Sequence, residues 1–127
     1  MGKIDIIPNA LNEIMNVKKK GRDTCIVKPV SKLLIEIFNI MKEHGYIDYK
    51  IEKDKFEKIA VKIKKLNECK AIKPRFYVKA GGIEKYARRF LPARNFGIMI
   101  VSTNKGLVTG EEMENKKIGG CLIAYCY

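Results

Sequence analysis

Phe96-Gly97-Ile98-Met99-Ile100-Val101, then Ser102-Thr103-Asn104-Lys105-Gly106, then Leu107-Val108-Thr109, is the stretch whose reading decides the fold. The first run is apolar and β-prone, which marks Phe96 to Val101 as a buried strand. Ser102 to Gly106 are small and polar and read as a hairpin turn, after which Leu107-Val108 resume an apolar pattern. Thr109 with Glu112 three positions later makes a capping box, so Thr109 to Lys117 reads as a short helix. Gly119 and Gly120 then open a last strand, Cys121 to Tyr127. Upstream, Gly81-Gly82 and Pro92 bound a short helix over Ile83 to Phe90, with Tyr86 and Phe90 at four-residue spacing. This half of the chain is mostly β with two short helices.

The other half follows a different rhythm. Ile7, Leu11, Ile14 and Met15 recur at helical spacing, with Pro8 suited to a first turn. Val17 to Asp23 reads as a loop, and Thr24 to Val27 as a short strand stopped by Pro29. Ser31 is a plausible N-cap for a helix carrying the stripe Leu34, Ile37, Phe38 and Met41, with Gly45 closing it. Ile47, Tyr49 and Ile51, then Ile59, Val61 and Ile63, alternate with polar neighbours as two strands, with a turn at Asp54-Lys55. Asn67 to Pro74 breaks the pattern and reads as a linker. The predicted class is α/β (α+β): an N-terminal α-β-α-β-β subdomain over 1–68 and a β-rich subdomain over 69–127.

Charge narrows the function. The 127 residues carry 26 Lys or Arg against 14 Asp or Glu, a net charge of +12. A surplus of this size is most easily tolerated against a polyanion, nucleic acid first and an anionic membrane face second. The surplus is uneven: between Cys69 and Gly110 nine cations face a single acid, Glu84. Enzyme chemistry has little to build on. The one histidine, His44, falls at a helix end, where a cation suits the carbonyl terminus. No phosphate-binding or hydrolase motif appears, and the carboxylates are interleaved with lysines. Four cysteines without a C-x-x-C pair make a zinc site a poor expectation. Cys121 and Cys126 read as small buried hydrophobes. The start of the chain lacks the apolar run of a signal peptide, and no run has the length of a membrane span, so a cytosolic protein with reduced thiols is expected.

The cations sit beside aromatics. Lys70, Lys73, Arg75 and Lys79 flank Phe76 and Tyr77; Lys85, Arg88, Arg89 and Arg94 flank Tyr86, Phe90 and Phe96. Cations bind phosphates, and exposed rings stack on unpaired bases. Phe76, Phe90 and Phe96 are assigned to the core, whereas Tyr77 and Tyr86 suit core and stacking roles equally. The hydroxyls and amide of Ser102 to Asn104 can bond base edges, 2′-hydroxyls or phosphate oxygens, with Gly106 allowing close backbone approach. By composition alone the same residues are an ordinary polar turn.

Phe96 to Thr109, then Glu111-Glu112 and Gly119-Gly120, resemble the C-terminal signature of the small-subunit ribosomal protein eight family. The resemblance extends over nearly the whole chain. It includes Asn9-Ala10-Leu11-Asn12, Pro29-Val30-Ser31-Lys32-Leu33 and Met41-Lys42-Glu43-His44-Gly45-Tyr46-Ile47. Ala71 to Phe76, Leu91 to Gly97 and the ending Ala124-Tyr125-Cys126-Tyr127 are similar to the archaeal and eukaryotic branch. Met113, where alanine is common in the family, and a shortened hairpin over Asp48 to Glu57 are departures.

The resemblance implies a non-enzymatic structural constituent of the small ribosomal subunit in the cytoplasm. Its expected partners are the central domain of the small-subunit rRNA and neighbouring ribosomal proteins, with no cofactor, metal, membrane or small-molecule substrate. It implies an RNA-binding set of Ser102, Thr103, Asn104, Lys105 and Gly106, supported by Gly119 and Gly120, with Lys32 on phosphate. Lys73, Arg75, Tyr86, Arg88, Arg89 and Arg94 complete the expected surface. The alternative is an RNA-binding protein acting off the ribosome, such as a translational autoregulator; sequencing the RNA it retains separates the two.

Overall fold

The computed structural model describes residues 2–27, 31–53, 55, 57–72, 77–92 and 96–127. The chain forms two compact units, Met1–Cys69 and Lys70–Tyr127, with helices and antiparallel sheet in a mixed α+β fold.

In the first unit, α1 (Gly2–Lys19) leads to β1 (Thr24–Val27), α2 (Lys32–Glu43), β2 (Ile47–Lys53) and β3 (Glu57–Ile63). The strands form an antiparallel sheet in the order β1-β3-β2. Alternation dictates which face is buried. Ile47, Tyr49 and Ile51 lie opposite Ile63, Val61 and Ile59, while Cys25 and Val27 oppose Val61 and Ile59 from the other side. Directly opposed residues share a face, and most of this one is buried. The predicted stripe of α2, Leu34, Ile37, Phe38 and Met41, is completely buried, each side chain contributing roughly 1.5–3 kcal/mol of apolar burial.

Local signals start and stop α2 as expected. Ser31 Oγ accepts from the Leu34 N–H at 3.1 Å. At the other end His44 Nδ1 donates to the Ile40 carbonyl at 2.9 Å, and Gly45 turns the chain with φ +80°. The first helix departs from expectation. It begins well before Pro8, which lies inside it. The proline forgoes one helical hydrogen bond, but Ile7, Ala10, Leu11 and Ile14 bury their side chains on one stripe, and that burial keeps the segment helical.

β4 (Cys69–Ala71) begins at the boundary, and the second unit continues with β5 (Tyr77–Val78), a 3-10 turn (Ala80–Gly82), α3 (Ile83–Phe90), β6 (Ile98–Thr103), β7 (Gly106–Thr109), α4 (Gly110–Lys116) and β8 (Gly120–Cys126). The sheet runs β4-β8-β6-β7, with β5 also paired to β8. Part of the expected linker, Cys69 to Ala71, is therefore strand. Three residues are too few to show an alternation in the sequence; the Ile72 N–H, bonded to the Ile123 carbonyl at 2.8 Å, extends their attachment to β8. Val78, Ile83, Met99, Val101, Val108, Met113 and Leu122 belong to the core, with Tyr86 and Phe90 packed against it. Phe96 was expected in that core and is instead 49% exposed, its ring tilted against Tyr127 with centroids 6.1 Å apart.

Candidate nucleic-acid interface

The β6–β7 hairpin ends in a closely paired turn. Val101 pairs with Val108, Ser102 with Leu107 and Thr103 with Gly106, leaving Asn104 and Lys105 as the connecting pair. Among the described residues only Lys117 and glycines have positive φ, so Asn104 and Lys105 keep ordinary backbone angles. The reversal is completed by Gly106 at φ +104°, as in turns that end in a glycine bulge. Thr103 Oγ1 locks the tip: it donates to the Gly106 carbonyl at 2.8 Å and accepts from the Lys105 N–H at 3.1 Å.

The expected set thus divides by role. Thr103 spends its hydroxyl inside the turn. Ser102, half-buried, has no hydrogen-bond partner for its hydroxyl among the described residues, while Asn104, Lys105 and Gly106 are exposed. The loop is anchored from behind by α4, whose N-cap Thr109 accepts from the Glu112 N–H at 3.2 Å. Met113, the departure from the family's usual alanine, is fully buried there.

Gly119 and Gly120 act by what they lack. A Cβ on Gly120 would lie 2.6 Å from both the Ser102 carbonyl oxygen and Val101 Cγ1, and 2.9 Å from Thr103 Cγ2. No side chain fits, so β8 runs close beside the β6 strand at the hairpin tip. A Cβ on Gly119, two residues before Cys121, would meet the phenol end of Tyr77, its Cζ at 2.8 Å.

Strand register carries a row across this end of the sheet. Tyr77 pairs with Cys121, Cys121 with Ser102, and Ser102 with Leu107. These residues share one face. Tyr77 is 68% exposed and Cys121 is half-exposed rather than buried as expected.

The cations are placed as follows. Arg88 and Arg89 are exposed in the last turn of α3. Arg88 is held to Glu84, one turn back, at 3.2 Å, and Arg89 stands over the Phe90 ring at 5.6 Å. Lys32 is exposed at the start of α2, where the first turn has no acidic residue to neutralise it. Tyr86 is half-buried against the core. Lys73, Arg75 and Arg94 lie outside the described residues. Among the described residues no cluster of His, Cys, Asp or Glu could hold a metal ion, and no helix is long and apolar enough to cross a membrane.

Sequence reasoning left Tyr77 undecided and thereby missed the most exposed aromatic of the sheet among the described residues. The only available signal was the alternation Tyr77-Val78-Lys79, out-in-out in the structure, too short to read unaided.

Known proteins resemble this chain over nearly its whole length. The family model described as "Ribosomal protein S8" matches residues 5–127. The "Small ribosomal subunit protein uS8" of Nanoarchaeum equitans (strain Kin4-M) is 45% identical over 126 residues, covering 97% of this chain and 98% of that protein. This chain, from its first helix to its last strand, belongs to the ribosomal protein S8 family.

Proposed function

We propose that this protein is a structural constituent of the small ribosomal subunit that binds the central domain of the small-subunit rRNA and supports its folding and subunit assembly. One observation carries the reading. The Thr103-locked tip presents the Ser102 hydroxyl, Asn104, Lys105 and the Gly106 backbone to solvent, in a chain of net charge +12. The lysines and arginines supply docking to phosphates, which is salt-dependent and indifferent to sequence. The preset polar tip supplies discrimination, because RNA is told apart chiefly by irregular shape, 2′-hydroxyls and unpaired bases. Asn104 offers both a donor and an acceptor, and Lys105 a charge beside them. Glycine at 106 leaves exposed backbone where a side chain would hold the RNA off, and glycine at 120 lets β8 sit close against β6 at the base of the tip. Lys32, Arg88 and Arg89 belong to the phosphate-binding part of this scheme, as do Lys73, Arg75 and Arg94.

A filter-binding titration with a central-domain rRNA fragment and an unrelated RNA of equal length tests the reading. The fragment should be preferred. Ser102→Ala combined with Thr103→Ala should weaken its binding by about 1–3 kcal/mol, the scale of lost and orphaned hydrogen bonds, while barely changing binding to the unrelated RNA. Equal affinity for the two RNAs in the wild-type protein would reject it. RNA recovered with the protein from cells should be small-subunit rRNA; enrichment of a messenger alone would move the function off the ribosome.

A further inference from the structure

We propose that Tyr77, lying over Gly119, forms a stacking platform that receives one unpaired RNA base beside the Ser102–Gly106 tip. The proposal rests on the RNA-binding reading above and adds a contact to it. Among the described residues Tyr77 is the most exposed of the large hydrophobic side chains, at 68%. An exposed ring in a two-residue strand contributes little to the core, whose work in β5 is done by Val78.

Its position is set by the sheet. Tyr77 faces Cys121 across β8, and Cys121 faces Ser102 across β6. Two interstrand spacings put Tyr77 and Ser102 roughly 10 Å apart on the same face, a reach that one nucleotide and its neighbour can span. Along the strand the ring leans over Gly119, where any Cβ would run into its phenol end. Gly119 therefore makes room for the ring on this face, while Gly120 makes room for β6 on the opposite one. The surroundings suit a polyanion: Lys79 and Lys105 are both exposed, and Glu84 is the sole acid between Cys69 and Gly110. An aromatic face beside cations is the arrangement on which single-stranded bases stack.

The test uses the full chain and a central-domain rRNA fragment in which each unpaired base is replaced in turn by the fluorescent base 2-aminopurine. One position should be quenched on binding the wild-type protein. Tyr77→Ala should abolish that quenching and weaken binding roughly 5- to 150-fold, the range of one stacked base. Tyr77→Phe should keep both. Gly119→Ala leaves the ring in the chain but displaces it, and should resemble Tyr77→Ala. Thermal melting of all three checks that each is folded.

The outcomes separate the two readings. Wild-type affinity in Tyr77→Ala, with binding still weakened by Ser102→Ala, overturns the platform and leaves the RNA-binding function standing. An equal loss in Tyr77→Phe overturns stacking in favour of the hydroxyl. Failure of the wild-type protein to prefer the fragment removes the parent reading and the platform with it.

Discussion

The hydroxyl of Thr103 bridges the turn to Gly106, donating to its carbonyl oxygen at 2.8 Å while accepting the Lys105 N–H at 3.1 Å. Ser102, the adjacent residue with the same functional group, has no hydroxyl partner among the described residues. Two neighbouring hydroxyls therefore have opposite relations to the fold. Thr103→Val keeps the methyl group and removes the bridge. It should lower stability by about 0.5–1.5 kcal/mol, the net value of an intramolecular hydrogen bond. Ser102→Ala should change stability by less than about 0.5 kcal/mol. Urea unfolding of the two variants checks this, and equal losses would show that the turn is not held by Thr103.

Two glycines of the hairpin region should respond differently to substitution. Gly106 has open space around it but a φ of +104°. Alanine there should cost about 1–2 kcal/mol for the left-handed backbone, and asparagine less. At Gly120 the obstacle is matter, since a Cβ would come within 2.6 Å of backbone that β6 cannot move without losing its pairing. Gly120→Ala should cost at least about 2 kcal/mol. Denaturant midpoints would reveal the order; Gly120→Ala proving milder than Gly106→Asn would contradict the packing described.

How far the sequence could be read follows from whether its signals were local. Ser31 and Thr109 announced their helices because a cap needs only its own next three residues. The stripe Leu34-Ile37-Phe38-Met41 was legible for the same reason, periodicity over a single helix. The hairpin of Ile98 to Thr109 was legible because an apolar run, a polar turn and a capping box follow one another directly. What failed depends on distant partners. Tyr77 and Tyr86 look alike in sequence, and only pairing with β8 turns one outward while α3 lays the other on the core. Cys69-Lys70-Ala71 becomes strand because β8 offers it an edge. In the same way the division of labour between Ser102 and Thr103 depends on which hydroxyl the turn brings to the Gly106 carbonyl, which two adjacent hydroxyl residues do not reveal in sequence.

The buried cysteines give the protein a pH-dependent weakness on the alkaline side. Burial pushes the Cys25 thiol up to about 11 and the Cys69 thiol up to about 12 from an ordinary 9.0, with Glu13 and Glu68 adding smaller effects. In the folded chain both thiols resist ionisation; in the unfolded chain they ionise near 9. Above that pH the unfolded state binds fewer protons than the native one, so stability falls as pH rises from about 9 towards 12. Cys69→Ala should flatten that decline whatever it does to stability at neutral pH. The unfolding free energy measured at several pH values between 8 and 11 shows the slope. At pH 8 iodoacetamide should alkylate half-exposed Cys121 ahead of the three buried cysteines. Labelling of Cys69 first would contradict its burial.

Arg88 and Arg89 are adjacent on α3 but differently engaged, and salt dependence should tell them apart. Arg88 is tied to Glu84 at 3.2 Å, a surface pair one helical turn apart, worth only about 0.3–0.5 kcal/mol to the fold. Phosphate competes readily with a bond that weak, but the carboxylate must then be left behind, unneutralised and close to the RNA. Arg89 stands over Phe90 and, among the described residues, has no such carboxylate to leave. Each phosphate contact releases counterions and steepens the fall of affinity with salt, so losing one should reduce the slope of log K against log[salt] by roughly 1. Arg89→Ala is expected to show that full reduction and Arg88→Ala a smaller one. Glu84→Gln, which removes the competing carboxylate, should raise affinity at low salt and steepen the slope. Titrations of the central-domain fragment over a range of salt concentrations measure all three. Parallel lines for the wild type and both arginine variants would mean that α3 faces away from the RNA, whatever the hairpin does.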